Sequence, residues 1–271
     1  MSKQVFWRED GVAVPSVTAE QMREVDRIAV EAFGLGILQM MENAGRNLAR
    51  IVEEMLAESE AGGESGQWGE VVILAGAGGN GGGGLCAARH LHNRGFKVWL
   101  VLDREPAALR GAASHQFRIL RAAGLPPVEL SKVPEAIQRA RVVVDAIIGY
   151  SLRGAPRGRA SELIELSNRY AARVLSLDVP SGLDATTGES PGVVVHPERT
   201  LTLALPKTGL CQAPGQLYLA DIGIPPEAYQ RLATSFESIF DLAAFQLAQE
   251  GPGGLFHSRD WLRLKSGVGP G

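Results

Sequence analysis

The chain is poor in the residues that would tie it to disulfides, metals or polyanions. Only two of its 271 residues are cysteines, Cys86 and Cys211, too few for a disulfide framework. We expect both to be small buried apolar residues in a reducing compartment, which predicts a cytoplasmic protein. The 27 lysines and arginines against 30 aspartates and glutamates give a net charge of −3, so we expect no nucleic acid partner. We expect no metal ligands around the five histidines, since His90 and His92, which are two apart, would point in different directions on a helix.

Long apolar runs are also missing. A run such as residues 142–148 is too short to span a bilayer and contains Asp145, so we expect no membrane partner. The first ten residues are mixed and polar, which predicts no secretory signal. At 45% hydrophobic residues, the chain can build the core of one large α/β domain or two small ones.

Helical patterns dominate the first quarter of the chain. Thr18 with Gln21 predicts a capped helix that runs to about Ala32. A glycine-rich break at residues 34–36 follows, and residues 37–56 then place apolar side chains at helical spacing. The chain is therefore divided into an irregular lead-in at residues 1–17, a main domain at 18–232, and a short helix with a glycine-rich tail at 233–271.

From about residue 70 the pattern alternates between strands and helices, which predicts a doubly wound α/β fold with a mainly parallel sheet. Ligands of such folds bind at the carboxyl ends of the strands. The predicted strands are residues 71–75, 97–102, 128–130, 142–147, 174–177, 200–204 and 217–219. The predicted helices are residues 85–94, 109–123, 134–140 and 160–171.

A glycine-dense stretch at residues 76–84 lies between the first of these strands and its helix. Glycine lets a phosphate approach the main chain, and a helix N-terminus adds free N–H groups and a positive dipole end. The stretch therefore predicts a site for a nucleotide or another phosphorylated ligand, with a merely flexible loop as the alternative.

Polar residues follow three of the later strands. Asp145 interrupts an apolar run, Asp178 precedes a Pro-Ser-Gly turn containing Ser181, and Lys207 follows the strand at 200–204. Each residue alone fits a structural turn or a solvated side chain equally well. Together with Asn80 they fall on the predicted ligand edge, and the side-chain oxygens of Asn80, Asp145 and Ser181 suit a hard cation.

Five motifs in order resemble those of the NAD(P)H-hydrate epimerases, the YjeF N-terminal domain family. They are MENAGR at 41–46, the glycine stretch, VDAIIG at 144–149, LDVPSGLD at 177–184 and LPKTGL at 205–210. The resemblance covers about residues 18–232 and implies a Rossmann-like three-layer αβα sandwich, usually a homodimer. It also implies epimerisation of the R and S forms of hydrated NADH and NADPH (NADHX and NADPHX), with a dehydratase as functional partner.

The same resemblance implies the site residues. Asn80, Asp145 and Ser181 would hold a potassium ion. Asp178 would serve as the acid–base group at C6 of the nicotinamide ring, with Lys207 as a second candidate. Contacts to the substrate would come from Asp178 and from two turns, namely Gly79, Asn80, Gly81, Gly82 and Gly83, and Gly149, Tyr150, Ser151, Leu152, Arg153, Gly154 and Ala155.

Two departures leave other functions open. The family loop usually reads GNNGGDG, whereas this chain has Gly79 at the first Asn and Gly83 at the Asp. Loss of these side chains favours a domain that binds a nucleotide or a protein without catalysis. A dinucleotide dehydrogenase is the other alternative, because residues 76–81 fit its glycine fingerprint and Asp103 ends the next strand.

Overall fold

The computed structural model describes residues 5–60, 69–232 and 261–267. These residues form seven α-helices and nine β-strands in one sheet. The strands are β1 (Val5–Arg8), β2 (Ala13–Val14), β3 (Val71–Ala75), β4 (Val98–Leu102), β5 (Val142–Ala146), β6 (Val174–Leu177), β7 (Arg199–Leu203), β8 (Gln216–Ala220) and β9 (Trp261–Gly267). The helices are α1 (Ala19–Glu31), α2 (Ile37–Glu60), α3 (Gly79–Asn93), α4 (Gly111–Ala122), α5 (Val133–Arg139), α6 (Arg159–Tyr170) and α7 (Pro226–Gln230).

The sheet has the order β2-β1-β9-β8-β7-β6-β5-β3-β4. Strands β4, β3, β5, β6, β7 and β8 pair in parallel, and the three strands at the other edge pair antiparallel. The carboxyl ends of β3, β5, β6 and β7 therefore lie side by side at one edge, as the doubly wound fold predicts.

Two apolar cores cover the two faces of the sheet. Alternate residues of β3 and β5, such as Ile73 and Val144, pack against α1 to α4, whereas Leu74 and Val143 point toward α5 and α6. This is the predicted three-layer αβα sandwich. None of the described helices is both long enough and apolar enough to cross a membrane.

Several elements begin or end where the sequence predicts. Thr18 accepts a hydrogen bond from Gln21 N at 3.2 Å and donates its own N–H to Gln21 Oε1 at 2.9 Å, which confirms the capping box of α1. Strands β3 and β6 have the predicted bounds. Cys86 is buried as expected, but Cys211 is only half-buried.

Other predictions are wrong. Residues 128–130 are not a strand, because Val128 N only reaches Leu100 O at 2.7 Å before a 3-10 turn at Leu130–Lys132. The lead-in at 1–17 is not irregular throughout, since it contributes β1 and β2, and the tail at 233–271 contributes β9. The short helix predicted after residue 232 lies outside the described residues.

Candidate active site

Two adjoining cavities open at the carboxyl ends of the parallel strands. The first, of about 580 Å³, contains Asp178 and is called the aspartate cavity. The second, of about 780 Å³, contains four arginines and is called the arginine cavity. Both cavities are lined by Gly79, Asn80, Gly149 and Ser151, so the start of α3 and the turn after β5 form the boundary between them.

Asp178 and Lys207 form a buried ion pair beside the aspartate cavity. The side chains are 5% and 1% exposed, and Lys207 Nζ donates to Asp178 Oδ1. Lys207 Nζ also donates to Leu203 O at 2.9 Å, and Leu203 N approaches Asp178 Oδ1 at 3.3 Å. No described residue donates to Asp178 Oδ2, which faces Gly149 at the cavity wall. The lysine therefore holds one carboxylate oxygen and leaves the other available to a ligand.

The backbone around Asp178 adopts an unusual conformation. Asp178 has a φ of +67°, a region that side chains other than those of glycine, asparagine and aspartate rarely occupy. Its N–H donates to Leu201 O at 2.7 Å, so the turn is fixed to the neighbouring strand β7. Val17 holds the backbone on both sides of Lys207. Its N–H donates to Pro206 O and its carbonyl accepts from Thr208 N, both at 3.0 Å.

A second polar group faces the same cavity from the N-terminal helix. The hydroxyl of Tyr150 donates to Asp26 Oδ2 at 2.5 Å, and both residues line the aspartate cavity. Lys207 Nζ lies 5.7 Å from the centre of the Tyr150 ring. Burial raises the pKa of Asp26 and of Tyr150, and the nearby Asp26 carboxylate raises the pKa of Tyr150 further. Tyr150 therefore keeps its proton at neutral pH and can donate it in a hydrogen bond.

Asp145 and Ser181 are buried in the protein and contact each other. Ser181 Oγ donates to Asp145 Oδ1 at 2.5 Å, while Ser181 N and Ser176 Oγ each donate to Oδ2 at 2.8 Å. Asp145 is fully buried and forms no ion pair with the described residues. Burial raises the pKa of Asp145, and these hydrogen bonds oppose the rise. Asn80, the third predicted ligand, packs against Gly149, and its Nδ2 is buried without a partner.

The glycine stretch is mostly a helix rather than a loop, since α3 begins at Gly79. A Cβ at Gly81 would lie 1.7 Å from Gly76 O, and one at Gly82 would lie 2.8 Å from the Ala112 side chain. A Cβ at Gly83 would lie 2.7 Å from the Leu177 side chain. These three glycines pack against protein and line neither cavity, and Gly154 does not line them either.

The remaining predicted contact residues divide between the cavities. Tyr150 and Asp178 line the aspartate cavity, and Leu152, Arg153 and Ala155 line the arginine cavity. The sequence reading missed several further lining residues: Arg23, Asp26, Met40, Met41, Arg104, Arg110 and Arg157. These residues come from helices and turns that are distant in sequence. Only Arg104 has a signal in the sequence, namely its charge beside Asp103.

One expectation about histidine is corrected. His90 does have potential ligand neighbours, because its Nε2 lies 2.8 Å from Glu42 Oε1 and Cys86 Sγ lies 3.4 Å from Glu42 Oε2. Arg89 also bonds Glu42 and Cys86, so a guanidinium already neutralises this carboxylate. Burial raises the pKa of the Cys86 thiol to about 12. The group is an ion-pair network between α2 and α3.

Comparison with known proteins shows the family to which this chain belongs. The family described as YjeF-related protein N-terminus matches residues 37–209. The chain belongs to the YjeF N-terminal family. It is 48% identical to the NAD(P)H-hydrate epimerase of Dehalogenimonas lykanthroporepellens, over 83% of this chain and 89% of that protein. It is 33% identical to the protein of the same name from Rhodopirellula baltica, over 81% and 89%.

Longer relatives and a solved structure agree with this membership. The chain is 40% identical to the bifunctional NAD(P)H-hydrate repair enzyme Nnr of Hyperthermus butylicus, over 73% of this chain but 36% of that protein. The crystal structure of yeast YNL200c superposes with a TM-score of 0.70 over 83% of this chain and 98% of that one. At 22% identity, this likeness shows a shared fold alone. None of these relatives is named a dehydrogenase.

Proposed function

We propose that this chain interconverts the R and S forms of hydrated NADH and NADPH. Two relatives that this chain matches over most of their length are named NAD(P)H-hydrate epimerases. The observation that carries the proposal is the Asp178–Lys207 pair, which exposes one carboxylate oxygen to a cavity of about 580 Å³. A cavity of this size, whose wall combines apolar side chains such as Met40 and Leu203 with the polar groups of Asp178 and Tyr150, suits a nicotinamide ring.

The residues around the cavity can supply the proton transfers. Inversion at C6 requires the hydroxyl there to leave and return on the other face, or the ring to open at the C6–N1 bond and close again. Either route needs a proton removed from oxygen and a proton returned. Lys207 Nζ occupies Oδ1 of Asp178 and no described residue donates to Oδ2, so Oδ2 is the oxygen placed to accept that proton and return it. Tyr150, whose hydroxyl is oriented by Asp26, binds and positions the ring.

We infer that a potassium ion binds beside Asp145. The available donors are the Asp145 carboxylate, the Ser181 hydroxyl and the carbonyl of Ile148, which Ser181 Oγ approaches at 3.1 Å. This all-oxygen set suits a hard monovalent cation. A buried carboxylate without an ion pair among the described residues also favours a cation nearby. When bound, potassium would supply positive charge at the floor of the site, and Asn80 would adjust its amide toward it.

The decisive experiment measures conversion of purified R-NADHX into the S form by the wild-type chain and two variants. We expect Asp178→Asn to lower the rate by about 10²–10⁴-fold, the usual contribution of a positioned acid–base group. Asp184→Asn is the matched control: it is the same change on the same loop, but Asp184 accepts turn hydrogen bonds from Thr186 N and Thr187 N and lines neither cavity. An Asp178→Asn enzyme as fast as the control would refute the assignment.

Potassium is tested by thermal unfolding in potassium chloride and in tetramethylammonium chloride at equal ionic strength. We expect potassium to raise the melting temperature of the wild-type chain, because it binds the folded state. The Ser181→Ala variant should lose that rise. Equal melting temperatures in the two salts would contradict the ion site.

Three further features complete the proposal. Relatives that are bifunctional repair enzymes support an NAD(P)H-hydrate dehydratase as the functional partner. Ile37 and Leu38 at the start of α2 are 53% and 42% exposed, which supports a homodimer that covers them. The low cysteine content supports a cytoplasmic location.

A further inference from the structure

We propose that Arg104 gives this site a preference for substrate that carries a phosphate on the 2′-hydroxyl of the adenosine ribose. This inference rests on the proposed function, because it assigns a contact to the adenosine end of the same dinucleotide whose nicotinamide end lies at Asp178. It selects NADPHX over NADHX.

The arginine cavity is strongly cationic. Arg104, Arg110, Arg153 and Arg157 line it, and all four are exposed, whereas Asp103 is the single acidic residue among its lining residues. Asp103 is buried and paired, so the surface presented to a ligand is positive. Such a cavity binds phosphate groups, because guanidinium forks match their oxygen atoms.

The two cavities match the two ends of a dinucleotide. They share the wall formed by Gly79, Asn80, Gly149 and Ser151, so one ligand can cross from one to the other. A ring at Asp178 then leaves the phosphates and adenosine in the arginine cavity. The opposite orientation would place the diphosphate in the aspartate cavity, where the carboxylates of Asp26, Glu31 and Asp178 outnumber the two arginines, Arg23 and Arg27.

Topology places the adenosine ribose near Asp103. Strands β3 and β4 pair in parallel and are connected through helix α3, and Asp103 N donates to Ala75 O at 3.0 Å just beyond β4. In sheets of this kind the residue that ends the second strand faces the ribose, and a nearby arginine accommodates a 2′-phosphate.

The Asp103–Arg104 pair decides between the two ribose forms. Arg104 Nε donates to Asp103 Oδ1 at 2.9 Å and Nη2 donates to Oδ2 at 2.7 Å, so both carboxylate oxygens are occupied. The Asp103 side chain is 2% exposed, whereas that of Arg104 is 52% exposed. Arg104 Nη1 makes no hydrogen bond with the described residues. A ribose therefore meets a guanidinium edge, which favours a phosphate over a hydroxyl.

The test uses nucleotides that lack the nicotinamide ring. Calorimetric titration of the full chain should show adenosine 2′,5′-bisphosphate binding about 10- to 100-fold more tightly than adenosine 5′-monophosphate. Arg104→Gln should remove most of that ratio, and the exposed carboxylate of Asp103 would then disfavour the bisphosphate. Arg157→Gln should weaken both ligands alike. Arg118→Gln, an exposed arginine on α4 that lines neither cavity, should leave both affinities unchanged.

Failure of this inference and of the proposed function can be told apart. The binding ratio does not depend on turnover, so it tests Arg104 even in a chain that epimerises nothing. In the active enzyme, Arg104→Gln should lower kcat/KM for NADPHX about tenfold or more relative to NADHX. Equal binding of the two nucleotides by the wild-type chain, or an unchanged ratio in Arg104→Gln, would overturn the proposal.

Discussion

The Asp178–Lys207 pair combines a role in stability with its proposed role in chemistry. Removing one partner of a buried ion pair leaves an uncompensated charge, so Lys207→Met should lower the free energy of unfolding by about 3–5 kcal/mol. The double variant Lys207→Met/Asp178→Asn should lose less than the sum of the two single changes, because no unpaired charge remains. Urea unfolding of the wild-type chain, the two single variants and the double variant measures this coupling. Additive losses would show that the two side chains do not interact.

Single residues show what the sequence could reveal about the site. The sequence indicates Asp145, Asp178 and Lys207 because each lies at or just beyond the carboxyl end of an apolar strand, and these strand ends converge in this fold. The position of Asp26 carries no local signal, whereas for Arg104 the one available signal is its charge beside Asp103. Asp26 lies on an amphipathic helix, and it meets Tyr150 only when α1 packs over residues 124 positions away.

At the scale of elements, helix α3 departs most from expectation. Glycine disfavours helix, so the pattern predicted a start at residue 85, whereas the helix begins at Gly79. Tertiary contacts override the propensity, because Gly81 lies against the carbonyl of Gly76 and Gly83 against Leu177. Strand β3 was predicted correctly because five consecutive buried apolar residues fit a strand covered on both faces.

Two glycines of α3 should respond oppositely to the same substitution. A Cβ at Gly81 would lie 1.7 Å from Gly76 O, so Gly81→Ala forces backbone movement and should cost about 3 kcal/mol or more. A Cβ at Gly79 meets nothing within 4 Å, so Gly79→Ala should stabilise by about 0.5–1 kcal/mol. Thermal unfolding without ligand compares the two. A stable Gly81→Ala protein would mean that α3 packs less closely on the turn after β3.

At the scale of the whole molecule, the sheet joins the two ends of the described chain. Strand β9 lies between β8 and β1, and the register places Leu264 opposite both Leu217 and Arg8. No sequence pattern could predict this pairing, because β1 is four residues long and its partner is more than 250 positions away.

Paired variants of β9 test whether this edge contributes to folding. Leu264 is 4% exposed, so Leu264→Asp buries an unpaired carboxylate and should lower the free energy of unfolding by about 3 kcal/mol or more. The adjacent Lys265 is exposed, and Lys265→Asp should change the free energy of unfolding by about 0.5 kcal/mol or less. Denaturant unfolding of the full chain measures both. Equal, small effects would mean that β9 is a dispensable tail.

The pairing of β1 with β9 also determines how the molecule would respond to a pulling force. Val5 lies opposite Gly267 in this antiparallel pair, so the first and last described residues sit at the same end of the two strands. Tension applied between these residues would load the hydrogen bonds one at a time, in a peeling geometry, rather than all together in shear. The two strands would separate at low force while the parallel sheet that carries Asp178 and Lys207 stayed intact.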